Sequence, residues 1–167
     1  MLNYLIHKSF LGLVLMSANE KGFCWVEIGN SKDKLLSNFE KRFKNEKFRK
    51  VIKTDNKYFL TLTAYLEGIG SWEVLPFDLR STDFKIKAWR YMQTIPAGQT
   101  QFYSQVAKAI GKPKAYRAVA RACATNPILL VIPCHRVIPK LAGIGNFSAR
   151  IENKQKLLEK EGYFIKN

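Results

Sequence analysis

The chain has 167 residues, 47% of them hydrophobic, enough to bury a core as one or two small domains. Its 28 Lys and Arg against 13 Asp and Glu give a net charge of +15, and three widely spaced cysteines, Cys24, Cys123 and Cys134, exclude a disulfide framework and a CxxC zinc signature. No run approaches the ~18 to 20 apolar residues of a membrane helix, and the apolar stretch Leu2 to Met16 is interrupted by Asn3, His7 and Lys8 without a small-residue cleavage site. The expected setting is therefore reducing and cytoplasmic, or at the nucleoid, with no membrane partner.

Along the first half, Leu11 to Met16 and Phe23 to Ile28 carry β-branched and aromatic residues bounded by Gly12, Gly22 and Gly29, which predicts a hairpin or meander. Ser31 and Asp33 can open a helix reaching about Phe43, with Leu35, Leu36, Phe39 and Phe43 on one face. Lys57 to Leu66 reads as a second helix, while Cys24, Trp25 and His7 read as core. The character changes near Pro76 to Thr82, the expected domain boundary.

In the second half, Asp83 can cap a helix through about Met92, since Phe84, Ala88, Trp89 and Met92 recur at spacings of three and four. The turn Pro96-Ala97-Gly98 follows, then a short helix from Tyr103 to about Ile110, stopped by Gly111. Pro113 suits the first turn of another helix to about Cys123, rich in small residues at Ala115, Ala118, Ala120 and Ala122. Two short helices joined by a glycine turn read as a helix-turn-helix, a weak pattern by itself. From Phe84 through Ile151 there is no Asp or Glu, while Lys85, Lys87, Arg90, Lys108, Lys112, Lys114, Arg117, Arg121, Arg136, Lys140 and Arg150 all fall inside. Such a surface serves solubility or, because of this uneven distribution, a polyanion whose condensed counterions are released by Lys and Arg.

The apolar run Ile128 to Ile132 reads as a buried strand that leads into Pro133-Cys134-His135-Arg136-Val137. Proline restricts the backbone just ahead of the thiol. A thiol of pKa roughly 8.5 reacts as the thiolate, so an imidazole able to take or share its proton would make Cys134 a nucleophile. Taken alone, the pair reads equally well as a small buried hydrophobe beside a satisfied ring.

The segment Ile95 to Gly162 resembles the O6-alkylguanine-DNA alkyltransferases, also called methylated-DNA-protein-cysteine methyltransferases, block after block. Their Pro-Cys-His-Arg-Val signature stands unchanged at Pro133 to Val137. In the family's order and spacing come Ile95-Pro96-Ala97-Gly98-Gln99, Tyr103, Arg117-Ala118-Val119, Asn126-Pro127, Gly145-Asn146-Phe147-Ser148 and Leu157-Leu158-Glu159-Lys160-Glu161-Gly162. The resemblance implies an α/β (α+β) fold. A small ribonuclease-H-like α/β domain would occupy residues 1–80, where the match is weak. A mainly helical domain with a winged-helix-like helix-turn-helix and an active-site strand would occupy residues 81–167.

It further implies a monomer without cofactor or metal that flips O6-alkylguanine, less surely O4-alkylthymine, out of double-stranded DNA. The alkyl group would move irreversibly to Cys134, once per molecule. Glu161 would hold His135, which polarises Cys134 through a water, and Asn126 would tie the recognition helix to the active-site strand. Tyr103 would assist rotation and donate to guanine N3, Ser148 would donate near O6, and the carbonyls of Cys134 and Val137 would read the exocyclic amine. Arg117 would fill the gap in the base stack from a helix in the minor groove, whose degenerate pattern suits a lesion seeker, with Tyr116, Ala118 and Arg121 beside it.

Tyr116 and Arg121 stand where relatives commonly have smaller residues, Phe147 replaces a frequent tyrosine, Leu129 and Ala149 vary the pocket rim, and Lys140-Leu141-Ala142 is an unusual loop tip. No second thiol is expected near the nucleophile, with Cys123 on a packed helix face and Cys24 in the other domain. Without the four-cysteine zinc domain of the sensor members, repair without transcriptional control is expected. Two other classes stay open. A non-catalytic lesion-binding protein would lack Cys134, and a cysteine hydrolase would need an oxyanion hole that no motif supplies.

Overall fold

The computed structural model describes residues 1–141 and 143–164; Ala142, at the unusual loop tip, and residues 165–167 lie outside the described residues. The chain forms two compact units, one from Met1–Leu79 with Pro127–Val131, the other from Arg80–Asn126 with the chain from Ile132 onward. The segment Pro127–Val131, expected in the second domain, thus belongs to the first unit.

In the first unit β1 (Leu2–Ser9), β2 (Gly12–Asn19) and β3 (Gly22–Gly29) form an antiparallel meander, and β4 (Phe48–Lys50) runs parallel to β1, in the order β3-β2-β1-β4. Strand β1 was not separated from the apolar stretch in the sequence. Its interrupting Asn3 and His7 fall on alternate positions of a two-residue repeat whose other members, Leu2, Tyr4 and Ile6, pack into the core. Gly22 has φ +143°, and a Cβ there would lie 2.5 Å from the Pro76 carbonyl. This close approach lets Phe23 N–H donate to Pro76 O at 2.9 Å, which lays Pro76–Asp78 along β3.

Helix α1 (Lys32–Arg42) starts at Ser31, whose hydroxyl accepts from Lys34 N–H, and its buried Leu35 and Phe39 pack on the sheet. The Phe39 ring lies 5.2 Å from Tyr4 and 5.1 Å from both Phe43 and Phe48. Helix α2 (Lys57–Glu67), capped by Asn56 and ended by Gly68, sets Phe59 5.9 Å from Phe23.

The second unit begins with α3 (Asp83–Met92), capped by Thr82 rather than Asp83. Its buried Trp89 donates Nε1–H to the Ala122 carbonyl at 3.0 Å. A short strand β5 (Gln101–Phe102) runs straight into α4 (Tyr103–Ala109), and α5 (Tyr116–Ala124) follows. Helix α5 begins three residues after Pro113, because the chain is still turning there, with Ala115 N–H donating to Lys112 O at 2.8 Å. Residues Cys134–Arg136 form a 3-10 turn, β6 (Val137–Ile138) pairs in parallel with β5, and α6 (Ile151–Lys160) closes the unit.

The expected active-site strand is not a strand. Ile128 to Ile132 are all buried, but they form no continuous strand: Ile128, Leu129 and Ile132 make isolated bridges, that of Ile128 to Val26, and Leu130 turns the chain at φ +73°. The Leu130 carbonyl instead accepts the Trp72 indole N–H at 2.9 Å. The apolar run signalled burial, which an irregular segment satisfies as well once its carbonyls find donors. Among the described residues no helix is long and apolar enough to cross a membrane.

Phe39→Ala removes the ring shared by α1, β1 and β4. It is expected to cost about 3–5 kcal/mol, read as a lower midpoint in urea unfolding followed by circular dichroism.

Candidate active site

Three backbone features bring the signature residues together. Pro133, at φ −79° and ψ 58°, delivers the chain into the 3-10 turn, so Cys134, His135 and Arg136 point in successive directions from one tight turn. Strand β6 leaves this turn and pairs Val137 with Gln101 and Ile138 with Phe102, one residue before Tyr103. The C-terminal end of α6 brings Glu161. Gly98, at φ +79°, passes so close that a Cβ would lie 2.6 Å from the Glu161 carbonyl.

His135 and Arg136 are fully buried, and Cys134 nearly so. His135 Nε2 lies 3.0 Å from Glu161 Oε1. Arg136 donates Nε–H to Glu161 Oε2 at 2.9 Å, Nη2–H to Glu161 Oε1 at 2.7 Å and Nη1–H to the Ile95 carbonyl at 2.6 Å. Asn126, just beyond α5, donates from Nδ2 to the Ile132 carbonyl at 3.0 Å and to Cys134 Sγ at 3.2 Å. His135 Nδ1 is buried with no hydrogen-bond partner among the described residues. With the ionised Glu161 as acceptor, Nε2 carries the proton and Nδ1 keeps the basic lone pair.

Burial would raise the Glu161 carboxyl, but hydrogen bonds and charge from His135 and Arg136 outweigh it and hold the group well below the usual carboxylate range. Burial lowers His135 despite Glu161, so the imidazole rests neutral. Burial raises the Cys134 thiol, opposed by the Asn126 amide and the charge of Lys154. Burial also pushes Tyr103 up to about 12, leaving its phenol a neutral donor.

Cys134 opens on a cleft of about 570 Å³ lined also by Tyr103, Ala120, Arg121, Cys123, Ala124, Pro139, Gly145, Asn146, Phe147 and Ser148. The expected site residues Tyr103, Arg121 and Ser148 thus share one cavity with the thiol. Val137 is fully buried and does not line the cleft; its carbonyl accepts from Lys154 Nζ at 2.8 Å. Tyr116, Arg117 and Ala118 are exposed on α5, with the Arg117 guanidinium 5.5 Å from the centre of the Tyr116 ring.

Three features differ from the sequence reading. Arg136, grouped there with the polyanion-facing cations, is buried against Glu161. Lys154, unremarked, is buried on the face of α6 shared with Leu157 and Leu158, a position its spacing of three and four could have indicated. Its Nζ also lies 3.4 Å from the Asn146 carbonyl, joining β6 to the cleft loop. Cys123 does line the cleft beside Cys134, but burial raises its thiol far above the ordinary value.

Residues 83–163 match the family described as the 6-O-methylguanine DNA methyltransferase DNA-binding domain. A methylated-DNA–protein-cysteine methyltransferase of Saccharolobus islandicus is 34% identical over 170 residues, covering 99% of each chain. The chain belongs to this family. It is also 34% identical over 151 residues to the bifunctional transcriptional activator/DNA repair enzyme Ada of Escherichia coli, covering 90% of this chain and 43% of that protein, so it spans under half of that relative's length. The crystal structure of Mycobacterium tuberculosis OGT in complex with DNA superimposes with a TM-score of 0.76 at 27% identity, over 96% of this chain and 93% of the other.

As a member of the methyltransferase family, the chain ties its stability to this buried acid. Glu161→Gln would leave Arg136 buried without its counter-charge, and is expected to cost about 3–5 kcal/mol near neutral pH. The Glu161 pKa is lower folded than unfolded, so its contribution is complete above the unfolded value of about 4.3 and is lost as pH falls towards the folded pKa. Chemical unfolding of the two proteins across pH should therefore show the gap narrowing below about pH 4.

Proposed function

We propose that the protein repairs double-stranded DNA by transferring the alkyl group of O6-alkylguanine, and less surely O4-alkylthymine, to its own Cys134, as a methylated-DNA–protein-cysteine S-methyltransferase acting once per molecule as a monomer. The observation that carries this reading is a cleft floored by Cys134, behind which Asn126 holds Sγ and Glu161, fixed by Arg136, holds the neutral His135. The S. islandicus relative is a methylated-DNA–protein-cysteine methyltransferase, and the similar M. tuberculosis structure is in complex with DNA.

In this mechanism the Cys134 proton passes to His135 Nδ1 through a bridging water. The resulting imidazolium is stabilised by Glu161. The thiolate attacks the alkyl carbon, an S–C bond forms and the C–O6 bond breaks, leaving its electron pair on guanine. Tyr103, kept protonated by burial, donates to N3 and Ser148 donates near O6, so the leaving base does not carry full charge. The Cys134 carbonyl and the second lone pair of the Val137 carbonyl read the exocyclic amine. Cys123 offers no route to turnover, because a thioether presents no good leaving group to a second thiol.

Helices α4 and α5 act as a helix-turn-helix of winged-helix type in the minor groove, with Arg117 in the gap left by the rotated base and Tyr116, Ala118 and Arg121 against the DNA. The first unit serves as the ribonuclease-H-like module. Among the described residues neither Arg117 nor Arg121 has an ion-pair partner, which leaves both for phosphates or base edges.

Incubation with O6-methylguanine duplex should add one methyl group to the peptide containing Cys134, with product levelling at one equivalent by intact mass. Cys134→Ser should abolish transfer and retain DNA binding. Product beyond one equivalent with unmodified protein recovered would instead indicate a hydrolase.

Arg117→Ala should slow repair in duplex DNA roughly tenfold to a hundredfold, matching the few kcal/mol of unstacking the residue offsets. The loss should be far smaller on a free alkylated guanine base. Single-turnover rates on the two substrates make the comparison.

A further inference from the structure

Beside the Cys134 cleft lies a second groove of about 490 Å³ that the chemistry above does not use. Phe102, Tyr116 and Leu141 supply its apolar surface, Arg117 and Lys140 its charge, and it shares Tyr103, Ala120 and Pro139 with the first cleft. Tyr116 and Leu141 are 46% and 92% exposed, a cost for large apolar side chains that a bound partner would relieve. The Tyr116 ring is already covered on one side by the Arg117 guanidinium, 5.5 Å from its centroid.

Apolar faces beside cations, in a stretch free of acids from Phe84 to Ile151, match a nucleobase attached to its phosphates. A second copy of this chain would bring another net charge of +15 against it. We propose that Tyr116 is a stacking residue whose ring, joined to Arg117, forms the wall of a second base subsite, and that this subsite receives the base left unpaired when the alkylated guanine rotates away. This rests on the reading of the first cleft as the guanine pocket. The two cavities share three lining residues, so the occupant lies next to the lesion, and the rotated guanine already fills the first. The estranged partner base is the nearest unpaired one. Holding it would delay re-pairing and lengthen the time the alkylated base stays within reach of Cys134. Tyr116 thereby acts through the DNA on the fraction of complexes with the alkylated base in reach, and so on the observed rate of methylation.

The test uses the full chain and a duplex carrying 2-aminopurine opposite a stable abasic analogue, so that the partner base is unpaired and no chemistry is required. Wild-type binding should quench the fluorophore by stacking on Tyr116. Tyr116→Ala should abolish the quench, Tyr116→Phe should restore it, and 2-aminopurine moved to a flanking position should respond equally to wild type and Tyr116→Ala. On O6-methylguanine duplex, Tyr116→Ala should slow Cys134 methylation about tenfold, the scale of one base–aromatic stack, with a smaller loss on the free base. Undiminished quenching by Tyr116→Ala, or a Tyr116-dependent response only at the flanking position, would overturn the assignment. Failure of wild-type protein to become methylated would overturn the proposed function instead, while the quenching comparison still reads out the subsite.

Discussion

The second unit depends on one buried ion pair, Arg136 with Glu161. Removing both charges from water costs several kcal/mol per ion, and hydrophobic residues of equal volume would often do as well for stability. What they would not do is fix position. The carboxylate takes hydrogen bonds from Arg136 Nε and Nη2 and from His135 Nε2, while Nη1 holds the Ile95 carbonyl. Three segments remote in sequence, the turn at Ile95, the 3-10 turn at Cys134 and the end of α6, therefore have one relative arrangement. Every donor and acceptor at the centre has a direction, and the tautomer of His135 follows from it.

That rigidity determines how the thiol is kept. Burial makes ionisation of Cys134 unfavourable and protonation of His135 unfavourable, so the resting pair is neutral on both sides. In the proposed reaction the thiolate and imidazolium would arise together, by transfer of one proton inside the site, with no net charge to bury. Glu161 is ionised throughout and favours the imidazolium once formed, and Asn126 gives the developing thiolate a donor at 3.2 Å. A cysteine this well enclosed is shielded from solvent oxidants, while its sulfur still borders the cleft through which a proposed substrate would reach it.

Legibility in the sequence follows from which residues carry local rules. Helices α1 and α3 were readable because caps and three-to-four spacing act within a few residues, as at Ser31 and along Phe84, Ala88, Trp89 and Met92. The adjacent Cys134 and His135 were candidates by themselves, but Glu161, Tyr103 and Ser148 could be nominated only through the family blocks, since no local rule links positions 26 residues apart such as His135 and Glu161. Ile128 to Ile132 failed as a strand because apolarity reports burial and is silent on φ, and Leu130 bends the run. Strands β5 and β6 have two residues each, too few for any periodicity, yet their pairing is what sets Tyr103 beside the thiol. Lys154 was missed because a lysine counts as solvated until a structure supplies carbonyls to receive it.

The same excess of positive charge is used in two opposite ways. Inside the second unit a cation must be matched, and Arg136 has Glu161 while Lys154 has the Val137 and Asn146 carbonyls. On the exposed side of α5 no acid among the described residues pairs with Arg117 or Arg121, in keeping with the absence of acids from Phe84 to Ile151. A surface ion pair would have been worth only ~0–1 kcal/mol, so its omission gives up little stability. A carboxylate at that surface, by contrast, would occupy those donors and repel any polyanion approaching them. Glu161 is admitted only beyond this stretch and is withdrawn from the surface by Arg136, so the chain holds a carboxylate against His135 while the exposed face of α5 stays free of acids, as the proposed docking to DNA would require.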